Sequence, residues 1–186
     1  VTGVQTCALP IWSIGHAATL SFFPTKNLGC YGDGGMVVTR DPDLAERVRV
    51  LRVHGSKPKY YHSVLGINSR LDALQAAVLL AKLPHLDRWI TRRREIAALY
   101  NQCLADIPGL QLPQESTESY HVYHQYTVSC SRRDDLQAGL KSQGIGSAIY
   151  YPLALHLQEV FADRGYSAGD LPHAFRHLSV RGTWGA

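Results

Sequence analysis

The stretch Ser21-Phe-Phe-Pro-Thr-Lys-Asn-Leu-Gly-Cys-Tyr-Gly-Asp-Gly-Gly35 places a single lysine between an apolar run and a glycine-rich turn. Ala17 to Phe23 is short and apolar and stops at Pro24, which suits a buried strand. Thr25 to Gly35 holds four glycines and an aspartate, and reads as a loop with unusual backbone angles. Met36 to Thr39 resumes as a strand. Lys26 is the candidate catalytic group. A lysine that forms a Schiff base must shed its proton, and burial assists by disfavouring the ammonium form. Glycines beside it let the backbone approach a flat cofactor. A plain surface lysine is the commoner occupant of such a turn, so spacing by itself leaves both readings open. The glycines match neither the P-loop nor the dinucleotide pattern.

Downstream, Asp41-Pro42 starts a helix, with Asp41 as N-cap and Pro42 at the first helical position. Leu44, Val48 and Leu51 are its expected buried face, and Gly55 its stop. Ser56 to Ser69 is polar and aromatic without a period, and reads as a loop. Arg70 to Leu83 is a helix apolar on nearly all sides, with Leu71, Leu74, Val78 and Ala81 as one stripe. Such a helix is expected to be buried on nearly all sides. After Pro84 a second helix runs to about Ala105, with Trp89, Ile96, Tyr100 and Cys103 or Leu104 on one stripe and arginines opposite.

From there the texture changes. Val122, His124, Tyr126 and Val128 alternate as a half-exposed strand, Asp134 to Gln143 is a short helix closed by Gly144, and Ile145 to Tyr150 is another strand. This β-α-β unit implies a small α+β domain, with a boundary near Arg88. The expected organisation is therefore 13–88, then 89–174. Residues 1–12 carry no charge and no periodicity, and VTGVQTCALPI resembles a translated sequencing-adapter artefact. Residues 175–186 lose the apolar pattern and read as a frame-shifted or disordered tail, a plain flexible terminus being the alternative at both ends.

Composition excludes several classes. Of 186 residues, 45% are apolar and 18% charged, as in a soluble globular protein rather than a disordered one. The net charge of +4 is mild, and Arg88, Arg92, Arg93 and Arg94 form the one dense basic run, read as a solvated helix face. A nucleic-acid partner would call for more concentrated basic charge. The four cysteines lack metal spacing, and no secretory signal or bilayer-spanning stretch is visible. The cytoplasm is the default compartment, with no membrane partner.

SFFPTKNLGCYGDGGMVVT closely resembles the cofactor-lysine segment of the DegT/DnrJ/EryC1/StrS sugar aminotransferases. HGSKPKYYH, GINSRLDALQAAVLLAKLPHLDRW, YHVYHQYTV and IYYPLALHLQEVF follow in the family's order, so the resemblance covers about residues 13–174. It implies an α/β fold: the C-terminal part of the large domain of a pyridoxal-phosphate-dependent transferase of the aspartate aminotransferase type, followed by the small α+β domain. Lys26 matches the lysine that holds pyridoxal 5′-phosphate and later shuttles the proton. Ser21 matches a serine on the cofactor phosphate. Asn68 matches an asparagine that reaches the phosphate of the neighbouring subunit's cofactor, which implies a homodimer; a buried helix cap is the alternative reading of Asn68.

Tyr150, Tyr151 and His156 fall in the segment that lies near the nucleotide-sugar in this family, with loop packing as the alternative. His54, Tyr60, Tyr61 and His62 are weaker candidates, and His121 and His124 are readable as plain strand residues. The implied reaction moves an amino group from glutamate or another donor to a nucleotide-linked keto-sugar. C3 of a UDP- or dTDP-sugar is the expected position and C4 the runner-up. Family members that dehydrate instead carry histidine at this lysine position, so Lys26 argues for transamination. Nothing acidic precedes Lys26, whereas the family places its pyridine-nitrogen carboxylate and ring-stacking residue before the lysine. The 186-residue piece is accordingly expected to be inactive alone, and a non-catalytic interaction fragment is the competing class.

Overall fold

The computed structural model describes residues 15–174 and 181–184. They divide into two compact units, the first running to Thr91 and taking back Ser116–His121, the second made of Arg92–Glu115 and the chain from Val122 on. The segment 1–12, expected to be foreign, lies outside the described residues.

In the first unit β1 (Ala17–Ser21) pairs antiparallel with β2 (Gly35–Thr39), from Ala17 opposite Thr39 to Ser21 opposite Gly35. A direct loop between neighbouring strands returns the chain antiparallel, since parallel pairing needs a crossover, usually helical. Strand β1 is not a buried strand: Ala18 and Leu20 are half-buried while Ala17, Thr19 and Ser21 are exposed. A two-stranded ribbon has one covered face.

Helix α1 (Pro42–Leu51) begins as expected, with Asp41 Oδ1 accepting from the N–H groups of Asp43 at 2.9 Å and Leu44 at 3.1 Å. Its apolar face is only half-buried, and Leu51, expected inside, is exposed. The helix stops before Gly55, whose φ of +73° and surroundings exclude a side chain, because a Cβ there would lie 1.8 Å from the Val64 carbonyl oxygen. Residues 56–69 are not a free loop. They fold back on the end of α1, with Ile67 N–H donating to Leu51 C=O at 2.9 Å and Ser69 N–H to Arg52 C=O at 3.0 Å.

Helix α2 (Ala73–Lys82) is shorter than expected and is not buried all round: Leu74 and Leu80 are 75% and 70% exposed. The side it turns inward carries Leu79, which joins Phe22 and Cys30 in a small core flanked by Leu20, Leu28 and Leu71.

Helix α3 (Leu86–Leu104) follows a short 3-10 turn at Leu83–His85. In the second unit its Ala97 is 2% exposed and packs with Tyr123, Tyr126 and Val128, with Tyr100 and Leu104 beside them; Cys103 is exposed. The basic run is only partly a solvated face. Arg88 and Arg92 are exposed, but Arg93 Nη1 donates to Tyr123 C=O at 3.1 Å and Arg94 forms a two-point pair with Glu115 at 2.7 and 3.1 Å.

Strand β3 is Tyr126–Ser129 alone. Tyr123, at φ +42°, interrupts the extended run expected from Val122 and turns its own ring into the core in place of its neighbours. Helix α4 (Arg133–Ser142) closes on Gly144 as expected: Gly144 N–H donates to Lys141 C=O and Ile145 N–H to Leu140 C=O, at 3.0 and 2.9 Å. Strand β4 is Ser147–Ala148, shorter than the six residues expected. Between β3 and β4, antiparallel to both, runs β5 (Arg181–Trp184). Four residues of a tail expected to lack order are thus the middle strand of a split β-α-β sheet; residues 175–180 and 185–186 lie outside the described ones.

Candidate active site

Lys26 sits at the tip of the loop that joins β1 to β2, and that loop is fixed by its own backbone. Phe22 N–H donates to Gly34 C=O, Cys30 N–H to Phe22 C=O and Lys26 N–H to Phe23 C=O, each at 2.8 Å. Cys30 is fully buried, and its thiol donates toward Phe22 C=O and Gly32 C=O, both at 3.0 Å. The glycines serve close approach of chain to chain. A Cβ on Gly29 would lie 2.5 Å from Pro24 O, and one on Gly34 would lie 2.8 Å from Cys30 Sγ. The backbone from which Lys26 projects is thereby defined.

The amine itself is exposed, so the burial expected around Lys26 is not provided by the described residues. Its Nζ has no hydrogen-bond or ion-pair partner among them. Ser21, at the end of β1, is also exposed, and its hydroxyl oxygen accepts one long bond, 3.4 Å, from Phe23 N–H. The two candidate groups therefore share the loop end of one hairpin.

Asn68 lies in the flap that folds on α1, bridged through its backbone to Val53. It is exposed, and the N-cap of α2 is Asp72, so it is not a buried helix cap. In the same flap His62 Nδ1 is 2.9 Å from His54 O, and Tyr60 and Tyr61 are exposed. Tyr150, Tyr151 and His156 belong to the second unit. The two tyrosine rings meet edge-on at 5.5 Å and are both exposed. The His156 ring stands edge-on to Tyr166 at 6.0 Å, and its Nε2 is buried without a hydrogen-bond partner among the described residues. His124 is half-buried, with its carbonyl accepting from Arg93 at 3.4 Å. No cluster of three or more potential metal ligands occurs among the described residues, and no helix among them is long and apolar enough to cross a membrane.

Two groups at this loop were not anticipated. Gln75 Oε1 accepts from Tyr31 N–H at 2.7 Å, and Lys82 Nζ donates to Gly29 C=O at 2.6 Å. The signal was present in the sequence: they are the two polar side chains of the apolar segment ALQAAVLLAK.

A profile of the DegT/DnrJ/EryC1/StrS aminotransferase family matches residues 8–180. The chain belongs to this family. Among its relatives, a pleiotropic regulatory protein of Geobacillus stearothermophilus is 60% identical, over 88% of this chain and 45% of its own length. A dTDP-3-amino-3,4,6-trideoxy-alpha-D-glucose transaminase of Streptomyces venezuelae is 49% identical, over 84% of this chain and 41% of its own. Among solved structures, S. venezuelae DesV in complex with a ketimine intermediate superposes with a TM-score of 0.84 at 46% identity, covering 91% of this chain and 46% of that one. The chain thus spans less than half the length of these relatives. The match begins at residue 8, inside the segment expected to be foreign.

Proposed function

We propose that this chain carries the cofactor lysine of a pyridoxal-phosphate-dependent aminotransferase that moves an amino group, from glutamate or a similar donor, to C3 of a dTDP- or UDP-linked keto-sugar. The observation that carries the reading is Lys26: an unpartnered amine on a hydrogen-bonded turn, in a family of aminotransferases. The groups present fit the cofactor's aldehyde and its phosphate. A free primary amine suits its aldehyde, and a strand-end hydroxyl that accepts only one long bond keeps its proton for a phosphate oxygen.

When bound, pyridoxal phosphate supplies an aldehyde and an electron sink. Lys26 would hold it covalently, and its Nζ, once displaced by the donor's amine, would move the proton from the donor's α-carbon to the former aldehyde carbon, and would run the same transfer in reverse in the second half-reaction. The turn fixes the lysine's root while its four-carbon stem lets Nζ travel. Ser21 donates to the phosphate. Asn68, exposed on its flap, serves the phosphate of a neighbouring subunit, which makes the working enzyme a homodimer. Tyr150 and Tyr151 offer exposed ring faces and hydroxyls to the nucleotide-sugar, and His156 Nε2 is a buried polar atom in want of a partner.

The test is chemical tagging. Pyridoxal phosphate followed by borohydride is expected to mark Lys26 well ahead of the exposed Lys57 and Lys59; an even spread over the three sinks the cofactor-lysine reading. In the complete enzyme Lys26→Ala is expected to abolish amine transfer from glutamate to a dTDP-linked 3-keto-sugar while the nucleotide-sugar still binds. A second reading, a non-catalytic regulatory role, is favoured by the name of the relative that is 60% identical. On that reading Lys26→Ala leaves every measured property unchanged.

A further inference from the structure

Gln75 and Lys82 stand seven residues apart on α2, which is two turns and one helix face. Packing does not call for them there, because the same face carries Leu79 in the core and a lysine loses rotamer freedom when it is held. Both are spent on the back of the Lys26 loop. Lys82 Nζ donates to Gly29 C=O at 2.6 Å, and the Tyr31 ring lies 4.8 Å from the ammonium. Gly29 is itself wedged under the preceding turn, since a Cβ on it would lie 2.7 Å from Phe23 O and 2.5 Å from Pro24 O. Phe23 O in turn accepts Lys26 N–H at 2.8 Å.

The path from Lys82 through Gly29 and Phe23 to Lys26 therefore runs through backbone, with no soft side chain between. Gln75 holds the other shoulder. Its Oε1 accepts Tyr31 N–H at 2.7 Å, and its Nε2 stands 3.1 Å from where a Gly32 Cβ would be.

We infer that Gln75 and Lys82 are positioning residues, a two-point brace by which α2 sets the loop that presents Lys26. The inference rests on the reading of Lys26 as the cofactor lysine. It also gives the two lysines different parts: Lys82 is occupied by a carbonyl and a ring face, and Lys26 is not.

The experiment uses the 186-residue chain with Lys82→Met, Lys82→Arg and Gln75→Leu, and has two readouts. Amide exchange is measured without cofactor. Tagging by pyridoxal phosphate and borohydride is mapped by peptide mass over a range of pH. A charge-assisted hydrogen bond is worth roughly ten- to a hundredfold in a local opening equilibrium. Lys82→Met is expected to speed exchange of Lys26 N–H about tenfold or more and to cut the Lys26 share of the tag by a similar factor, leaving Lys57 and Lys59 as before. Lys82→Arg, which can still donate to Gly29, restores both to within about twofold. Gln75→Leu speeds exchange at Tyr31. The brace is overturned if Lys82→Met leaves Lys26 exchange and tagging within about twofold of wild type, or if Lys82→Arg behaves like Lys82→Met. Should wild-type Lys26 be tagged no faster than Lys57 and Lys59, the cofactor reading fails while the exchange data still decide the brace.

Discussion

Replacing Gly29 by alanine adds one methyl group at the tightest point beneath the Lys26 turn. Gly29 is not among the positive-φ glycines, so alanine can adopt its backbone angles and the whole effect is steric. The added carbon would start 2.5 Å from Pro24 O and 2.7 Å from Phe23 O. Both acceptors are backbone atoms and must retreat by roughly 1 Å to reach ordinary contact. Overpacking of this kind costs about 1–3 kcal/mol. Moving Phe23 O also strains the 2.8 Å bond from Lys26 N–H, worth about 1 kcal/mol net. The expected loss is roughly 2–4 kcal/mol, which moves a urea midpoint by about 1–2 M at the slope usual for a small domain. Circular dichroism follows the unfolding, and Lys26 tagging reports the turn. A midpoint within about 0.3 M of wild type, with tagging unchanged, would refute the claim that the turn is locked from below.

Gly139, inside α4, is the opposite case, because a Cβ added there would meet nothing within 4 Å: alanine is expected to raise stability by about 0.5–1 kcal/mol in the same urea titration. Burial pushes the phenols of Tyr123 and Tyr126 above the ordinary 10.0, Tyr123 additionally through the Glu115 carboxylate and against the opposing pull of Arg94. The folded state then keeps protons that the unfolded chain releases, so stability is full below pH about 10 and falls as pH rises through the raised values. Unfolding measured from pH 8 to 11 should show this decline, and Tyr123→Phe should flatten it. Arg94→Met removes a two-point pair whose side chains are largely buried and should cost about 1–2 kcal/mol, less at high salt. Gly55→Ala should detach the flap of residues 56–69, seen as rapid amide exchange at Ile67 and Ser69, because a Cβ meets the Val64 carbonyl.

The hairpin that carries Lys26 and Ser21 was legible because it is one contiguous segment whose proline and glycines mark its boundaries. The capped ends of α1 and α4 were legible for the same reason: Asp41, Pro42 and Gly144 act on backbone groups within one turn. The inward face of α2 was not. Counting apolar side chains selects Leu74, Val78 and Ala81, yet the helix turns Gln75, Leu79 and Lys82 toward the loop, and only tertiary contact chooses between faces of a helix apolar all round. Tyr123 defeated the alternation reading, since one residue at φ +42° exchanges the two faces of the run without changing its composition. Strand β5 was invisible because its place is set by backbone pairing to two remote strands at once, which no pattern within four residues reports.

That last strand also orders events in time. Among the described residues, strands β3 and β4 meet only through β5, so a nascent chain that has already released Tyr126–Ser129, α4 and Ser147–Ala148 from the ribosome still has no sheet to close. The hairpin bearing Lys26 depends on contacts much nearer in sequence and can form while synthesis continues. Arrest of translation before Arg181 should therefore leave a protected first unit beside an unsealed second one, a state in which the two halves of the molecule have different ages.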